Sequence, residues 1–218
     1  MKVALIGASG FVGAAVLNEL AERGHLVTAV VRNPENLKQT EQITVIKADV
    51  LKEAEMVNAV QGMDAVISAY NAGWGNPDLY KTFIEGSKAI QVGVKKAGVK
   101  RLIVIGGAGS LYITEGVQLI DSPDFPFPDE FKPGSLAARD YYNIIKEEKE
   151  LDWTFVSPAI EMTPETSGVR RGTYRTGFDT PVFDSNNRSI LSVEDLAVVV
   201  VDELENPKHI KQRFTAAY

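Results

Sequence analysis

The chain has 218 residues, of which 44% are hydrophobic, and its formal net charge at pH 7 is −6. A chain of this size can bury one substantial core, and its acidic balance disfavours nucleic acid and anionic membranes as partners, because both require clustered cations. Cysteine is absent and the two histidines, His25 and His209, lie far apart, which excludes disulfides and argues against a zinc site. We therefore expect one domain over residues 1–218 and no metal.

The start of the chain bears on location. Met1 is followed directly by an apolar strand and glycines, rather than by a basic segment, a long apolar stretch and a cleavage site. No apolar run approaches the roughly 20 residues that a membrane-spanning helix requires. By default, the sequence predicts a cytoplasmic protein without a membrane partner.

Short apolar runs alternate with longer amphipathic segments, a pattern typical of parallel strands covered on both faces by crossover helices. Strands are predicted at residues 3–6, 26–31, 43–47, 65–69, 102–105, 153–157 and 213–217. Helices are predicted at residues 11–23, 52–60, 77–97 and 137–150, and a capping box of Ser192 with Asp195 begins another that ends at Leu204. We predict an α/β fold of Rossmann type, with a doubly wound, mostly parallel sheet of order 3-2-1-4-5-6 plus a possible edge strand, and helices on both faces.

Two long segments interrupt this alternation, at about residues 112–134 and 161–190. Both follow the carboxyl ends of late strands, where open α/β sheets bind their ligands, so we expect them on the substrate side. The second segment contains Arg170, Arg171 and Arg175. These arginines either meet a phosphate of a substrate or are solvated.

A glycine-rich turn joins the first predicted strand to the first predicted helix. It consists of Gly7, Ala8, Ser9, Gly10, Phe11, Val12 and Gly13. Gly7 permits the tight turn, Gly10 lets the backbone approach a pyrophosphate, and Gly13 lets helix and strand pack closely. The free amides of the helix amino terminus attract phosphate, so the turn predicts a dinucleotide site, although a tight turn alone would also use glycines.

With its GxxGxxG spacing and strand pattern, the chain resembles the extended and atypical members of the short-chain dehydrogenase/reductase superfamily. More narrowly, it is similar to the NmrA-like and NADH-flavin-reductase-like NAD(P)-binding proteins, and it also resembles the NAD-dependent epimerase/dehydratase group. The resemblance covers nearly the whole chain and includes residues 31–34, 48–50, 151–159 and 190–197. It implies a nicotinamide cofactor.

The end of the second predicted strand bears on which dinucleotide is bound. NAD-preferring sites usually place an acidic residue there to hold the ribose 2′-hydroxyl, whereas this chain has Val30, Val31 and Arg32. A guanidinium accommodates a 2′-phosphate through charge-assisted hydrogen bonds. The sequence favours NADP(H), and NAD is possible if Arg32 is merely solvated.

The resemblance also implies further contacts to the cofactor. In the family, an Asp-Val pair after the third strand approaches the adenine, and here that pair is Asp49 and Val50; capping of the following helix would explain Asp49 equally well. The remaining residues assigned to cofactor binding are Ala69, Tyr70, Asn71, Gly106 and Pro158. Gly106 opens a glycine stretch that either admits a flat ligand against the nicotinamide or is a flexible turn.

The usual chemistry of the superfamily requires a tyrosine acid/base, a lysine four residues later that lowers the tyrosine pKa, and a serine that orients the substrate carbonyl. Tyr142, Lys146 and Ser110 are the candidates. Tyr142 and Lys146 lie late in their predicted helix, and Ser110 lies downstream of the usual serine. They form either a catalytic triad or ordinary packing residues.

Without a triad, the nicotinamide can still pass a hydride to an acceptor stacked beside it. Aromatic residues that could line such an acceptor site are Trp74, Tyr112, Phe125 and Phe127.

Three functions follow from these observations. We favour an NAD(P)H-dependent oxidoreductase, similar to flavin or quinone reductases, that acts on a small planar acceptor. The first alternative is an NAD(P)-dependent nucleotide-sugar epimerase or dehydratase, but such enzymes usually add a larger substrate domain than the sequence after Ser157 allows. The second is a non-catalytic, NmrA-like redox sensor that binds NADP and signals to a protein partner.

Overall fold

The computed structural model describes residues 1–123, 125 and 128–218, and its centre is an eight-stranded sheet. The strands of the described chain are β1 (Lys2–Ile6), β2 (Leu26–Val31), β3 (Ile43–Lys47), β4 (Ala65–Ser68), β5 (Arg101–Ile105), β6 (Tyr112–Thr114), β7 (Val117–Gln118), β8 (Asp152–Ser157), β9 (Arg175–Gly177) and β10 (Gln212–Ala217). The sheet order is β3-β2-β1-β4-β5-β8-β10-β9, and β6 pairs with β7 in a separate hairpin. Neighbouring strands of the sheet are parallel except for β9 and β10.

Helices cover both faces of this sheet. They are α1 (Phe11–Glu22), α2 (Glu53–Val60), α3 (Leu79–Lys96), α4 (Lys132–Ile145) and α5 (Val193–Glu205). The apolar residues of α1 and α5 pack on one face, and those of α2, α3 and α4 pack on the other. Two apolar layers therefore sandwich strands that are buried on both sides, as expected for a doubly wound sheet. No helix in the described residues is long and apolar enough to cross a membrane.

The predicted Rossmann-type fold is confirmed, with β8 as the sixth strand of the order 3-2-1-4-5-6. The seventh predicted strand forms as β10, but it does not lie at the edge, because β9 pairs outside it. The strands β6, β7 and β9 lie in the two long segments and were not predicted, because runs of two or three residues carry no readable alternation.

The predicted bounds of two helices are wrong. Helix α4 begins and ends about five residues before the predicted span, because Pro133 occupies its first turn, where a missing amide costs nothing. Helix α3 begins at Leu79 rather than at Pro77, because the Asn76 side chain accepts the amide of Asp78 and holds the chain in a turn. Gly98 ends α3 with a φ of +77°, as expected.

The amino terminus of α5 confirms half of the predicted capping box. Ser192 Oγ accepts the Asp195 amide at 3.1 Å, but the Asp195 carboxylate does not return to the Ser192 amide. That carboxylate is buried and accepts the amides of Arg171 and Gly172 at 3.0 and 2.8 Å, while the Tyr218 hydroxyl accepts the Ser192 amide at 3.3 Å. Asp195 thus anchors the second long segment to α5.

Candidate functional site

The glycine turn has a geometry that larger residues would break at two positions. Gly7 has a φ of +78°, and a Cβ built on it would lie 2.5 Å from the Ala69 carbonyl oxygen. A Cβ on Gly13 would lie 2.0 Å from the Gly7 carbonyl oxygen. A Cβ on Gly10 would meet only that oxygen, at 3.4 Å, and would otherwise project into open space. The turn therefore keeps the space above Gly10 clear.

Helix α1 begins at Phe11, directly after Gly10 of this turn, without a side-chain cap and without an acidic residue in its first turn. The first amides of a helix have no acceptor within the helix, and the helix dipole makes that end positive. The turn can therefore hold an anion close to its backbone.

A crevice of about 230 Å³ opens over the turn, at the carboxyl ends of β1, β2 and β4. Its lining residues are Ile6, Gly7, Ser9, Gly10, Val30, Val31, Arg32, Asn33, Asn36, Ala48, Val50, Ala69, Tyr70 and Asn71. The residues predicted for cofactor binding that lie outside this lining are Ala8, Phe11, Val12, Gly13, Asp49, Gly106 and Pro158. The crevice is thus bounded by the turn and by the ends of the neighbouring strands.

Arg32 lies in this crevice without a partner in the protein. It is exposed, and within the described residues its side chain makes no hydrogen bond or ion pair. Arg171 stacks on the Tyr218 ring at 3.9 Å. The side chains of the other described arginines, which are Arg23, Arg101, Arg139, Arg170, Arg175, Arg188 and Arg213, all donate hydrogen bonds to protein oxygens. No lining residue that the structure describes is acidic, so Arg32 offers an unneutralised cation to a ligand.

Asn33 and Asn36 also line the crevice, and sequence reasoning missed both. A short 3₁₀ turn, Pro34–Asn36, follows β2 and returns the chain to the crevice, so that Asn36 faces the same opening as Arg32. Neither amide side chain has a hydrogen bond in the described structure. The Asn33-Pro34 dipeptide was the available signal, because Pro in this position starts a turn rather than extending a strand.

Asp49 lies beside the crevice and does not cap helix α2. Its Oδ1 accepts the amide of Leu51 at 3.0 Å, and α2 begins at Glu53 without a side-chain cap. The alternative that Asp49 is a helix cap is therefore wrong, because the chain makes a turn between Asp49 and the helix. Val50, the other member of the predicted pair, is buried and lines the crevice.

Of the three candidate catalytic residues, Tyr142 and Lys146 have separate side-chain partners and do not act as a pair. Lys146 lies just after the end of α4, where its exposed ammonium donates to Asn143 Oδ1 at 3.0 Å. Tyr142 packs on Phe155 with ring centroids 5.1 Å apart. Its cationic neighbour is Arg213 of β10, whose guanidinium carbon lies 4.5 Å from the centre of the tyrosine ring. Burial raises the pKa of Tyr142, and the charge of Arg213 opposes this only in part.

Ser110, the third candidate, is buried and accepts hydrogen bonds from the same arginine, Arg213. Arg213 Nη1 donates to the Ser110 carbonyl at 2.9 Å and to Ser110 Oγ at 3.0 Å, and its Nε donates to Asp179 Oδ1 at 3.0 Å. The Asp179 carbonyl in turn accepts the Tyr112 amide at 2.8 Å. Arg213 therefore ties the second long segment, and the residue two positions before Tyr112, to strand β10.

The glycine stretch after β5 is occupied by packing side chains. A Cβ on Gly106 would lie 2.1 Å from Cζ of Phe155, and one on Gly109 would lie 3.3 Å from Cβ of Ser135. The residues Ala108–Ser110 form a 3₁₀ turn. Gly106 is thus required by the Phe155 ring, whether or not a ligand also lies nearby.

The arginines of the second long segment are exposed to solvent, and each also contacts a neighbouring group of the protein. Arg170 donates twice to the buried carboxylate of Glu19, at 2.8 Å each, Arg171 stacks on Tyr218, and Arg175 donates to the carbonyls of Phe183 and Tyr218. Their exposure agrees with the reading of these arginines as solvated residues, and contact with a substrate phosphate stays a prediction.

The aromatic residues predicted to line an acceptor site are dispersed. The Trp74 ring packs edge-on against Phe131 at 5.1 Å and covers Gly134 of α4, where a Cβ would lie 2.7 Å from it. Tyr112 lies 5.9 Å from Arg213, and Phe125 is half-buried. Phe127 lies outside the described residues.

Comparison with known proteins agrees with this geometry. The model of a family described as NAD(P)H-binding matches residues 7–207, so the chain belongs to that family and binds a nicotinamide cofactor. A curated relative, the uncharacterized protein YwnB of Bacillus subtilis, is 36% identical over 217 residues, which cover 99% of this chain and 97% of YwnB.

Two solved structures are similar over the full length. One is a proposed epimerase from Bacteroides thetaiotaomicron, 48% identical, with a TM-score of 0.91 and coverage of 100% of this chain and 96% of that one. The other is a proposed NADH-flavin reductase from Streptococcus pneumoniae, 36% identical, with a TM-score of 0.86 and coverage of 100% and 99%. The suspected superfamily is confirmed by these matches.

Proposed function

We propose that the protein is an NADPH-dependent oxidoreductase that passes a hydride to a small planar acceptor such as a flavin or a quinone. The observation that carries this proposal is the crevice over the glycine turn, in which Arg32 lacks a protein partner. Gly7, Ser9 and Gly10 would hold the diphosphate, and the apolar side of the crevice, at Val30 and Val50, would hold the adenine.

Preference for NADPH over NADH follows from the charges in the crevice. Arg32 supplies a forked cationic donor, and the amides of Asn33 and Asn36 supply further donors to a 2′-phosphate. No acidic residue of the described lining repels that phosphate or holds a free 2′-hydroxyl. NADH lacks the group that these side chains would bind.

The residues around the candidate catalytic positions favour an acceptor whose reduction requires no proton from a protein side chain. When bound, a reduced nicotinamide supplies a hydride, and a flavin or quinone accepts it together with one proton from solvent. The spacing of Tyr142 and Lys146 provides no proton-transfer pair, because the lysine bonds to Asn143 and the tyrosine faces Arg213. The proposed NADH-flavin reductase of Streptococcus pneumoniae supports the same class of acceptor.

A nucleotide-sugar epimerase or dehydratase is less well supported, although one similar structure is of a proposed epimerase. Such chemistry requires an acid/base at the sugar carbon. The available tyrosine is Tyr142, whose ring packs against the guanidinium of Arg213. A redox sensor would share the crevice but would not oxidise the cofactor.

The test is the loss of nicotinamide absorbance when purified protein is mixed with NADPH and, in separate reactions, FMN, FAD or a quinone. We expect oxidation that depends on both protein and acceptor, with one equivalent of acceptor reduced per NADPH in the absence of oxygen. The matched control is Gly10→Val, whose side chain should meet little of the protein and occupy the space above the turn. Binding of NADPH without oxidation by any acceptor would instead favour the sensor, and oxidation rates equal to those of the control would refute the enzyme.

A further inference from the structure

Tyr70 forms one wall of the crevice and is held from behind by helix α3. The residue follows β4, and its half-buried ring lines the crevice. Its hydroxyl donates to the Thr82 carbonyl at 3.2 Å, and its ring lies 5.9 Å from that of Phe83. The ring therefore has α3 on one side and the opening for the nucleotide on the other.

Gly86 provides the space that the Tyr70 ring occupies on α3. A Cβ on Gly86 would lie 2.4 Å from Oη of Tyr70 and 2.5 Å from its Cε1 and Cζ. Gly86 is buried inside α3, where its backbone is helical and glycine is among the least favourable residues. Packing of the Tyr70 ring, rather than backbone conformation, accounts for a glycine at this position.

We propose that Gly86 is a positioning residue for the nucleotide, which sets the width of the crevice by letting Tyr70 lie back against α3. The inference rests on the proposed function, because it assumes that the crevice holds the adenosine part of NADPH. A methyl group at residue 86 would push the ring away from α3. The crevice is the open side, so the ring would move into the volume that the nucleotide requires.

Gly93 provides a matched control on the same helix. It is buried, and a Cβ on it would lie 2.6 Å from Cγ of Met56 on α2. Met56 does not line the crevice, and a methionine side chain adapts readily to a new neighbour. Gly93→Ala thus repeats the helix substitution and the crowding without touching the wall of the crevice.

The experiment measures the affinity of wild-type protein, Gly86→Ala, Gly93→Ala, Tyr70→Leu and the Gly86→Ala/Tyr70→Leu double variant by calorimetry. The probes are NADPH and adenosine 2′,5′-bisphosphate, which has no nicotinamide. Gly86→Ala should weaken both probes about tenfold, and Gly93→Ala should weaken neither. In the Tyr70→Leu background, Gly86→Ala should have no further effect, because leucine is too short to reach residue 86.

The inference is overturned if Gly86→Ala binds both probes with wild-type affinity. It is also overturned if Gly86→Ala loses the same affinity with tyrosine and with leucine at residue 70. Either result leaves the proposed function intact. If the wild-type protein binds neither probe, the proposed function and the inference both fail. If Gly86→Ala does not fold, Tyr70→Phe decides the matter. It keeps the ring but removes the bond to Thr82, so it should weaken both probes about threefold; unchanged affinity would overturn the inference.

Discussion

The crevice over the glycine turn and the contacts beside the two long segments differ in whether their polar side chains have partners within the protein. In the crevice over the glycine turn, Arg32, Asn33 and Asn36 have no partner in the described protein. Beside the long segments, Arg213 is bound to Ser110 and Asp179, and Arg170 is bound to Glu19. The exposed polar groups of the crevice are free to bind a ligand, whereas the groups that bond to one another hold the architecture together.

The comparison predicts that variants beside the long segments lose stability and keep their affinity for NADPH. Arg213→Met should show this most strongly and lower the free energy of unfolding by about 2–4 kcal/mol, because the buried Ser110 Oγ loses the arginine that donates to it. Denaturant unfolding and calorimetry with NADPH measure the two quantities. Arg188→Met, which removes an exposed arginine paired with Glu161, is the control and should cost less than about 1 kcal/mol.

Variants in the crevice should show the reverse pattern. Gly10→Val should weaken NADPH binding about a hundredfold, because its side chain occupies the space above the turn, while the free energy of unfolding falls by no more than about 1 kcal/mol, the cost of valine at the N-cap of α1. Gly13→Ala is the contrast, since its methyl group would strike the Gly7 carbonyl and destabilise the fold. If Gly10→Val binds NADPH normally, the crevice is not the diphosphate site.

Arg32 separates the two dinucleotides. Arg32→Ser should weaken NADPH binding by about tenfold to a hundredfold, the loss of a charge-assisted hydrogen-bonded pair, and should change NADH binding by less than about twofold. Calorimetry with both dinucleotides measures this. Arg171→Ser, which removes an arginine remote from the crevice, should alter neither affinity. An equal loss for NADPH and NADH would mean that Arg32 does not contact the 2′-phosphate.

Glu148, which lies outside both regions and has hydrogen-bond partners within the protein, makes the stability of the fold depend on pH. Burial alone would raise the pKa of Glu148, but bonds from the Glu150 amide, Gln91 and Lys95 outweigh it and lower the pKa from 4.5 to about 2. The stabilisation is therefore present above pH 4.5 and is lost as the pH falls towards 2. Glu148→Gln should flatten this acid limb in unfolding curves recorded across that range. An identical acid limb in the variant would contradict the assignment.

The smallest effects are expected at the candidate catalytic pair. Tyr142→Phe and Lys146→Ala should each leave NADPH oxidation within about twofold of wild type, because the lysine is exposed and its ammonium bonds to Asn143 rather than to the tyrosine hydroxyl. Steady-state kinetics with a flavin acceptor measures this. Loss of turnover in Tyr142→Phe with unchanged NADPH affinity would restore the tyrosine as the acid/base.

The sequence predicted the sheet and the glycine turn because both depend on local patterns. Buried strands appear in the sequence as apolar runs, and the turn requires glycine at Gly7, where φ is +78°, and at Gly13, which lies against the Gly7 carbonyl. The role of Tyr142 could not be predicted from its spacing to Lys146, because the tyrosine packs against Arg213, which is 71 positions further along the chain and is brought close by the pairing of β8 with β10. The same holds for Arg170, whose partner Glu19 lies on the first helix. Asn36 was missed because a 3₁₀ turn returns it to the crevice.

The most direct test of the central claim is a calorimetric titration of the wild-type protein with NADPH and, separately, NADH. Saturable binding of NADPH at least about tenfold tighter than that of NADH is predicted, because the unpartnered Arg32 meets the 2′-phosphate. Equal affinity for the two, or tighter binding of NADH, would contradict the account.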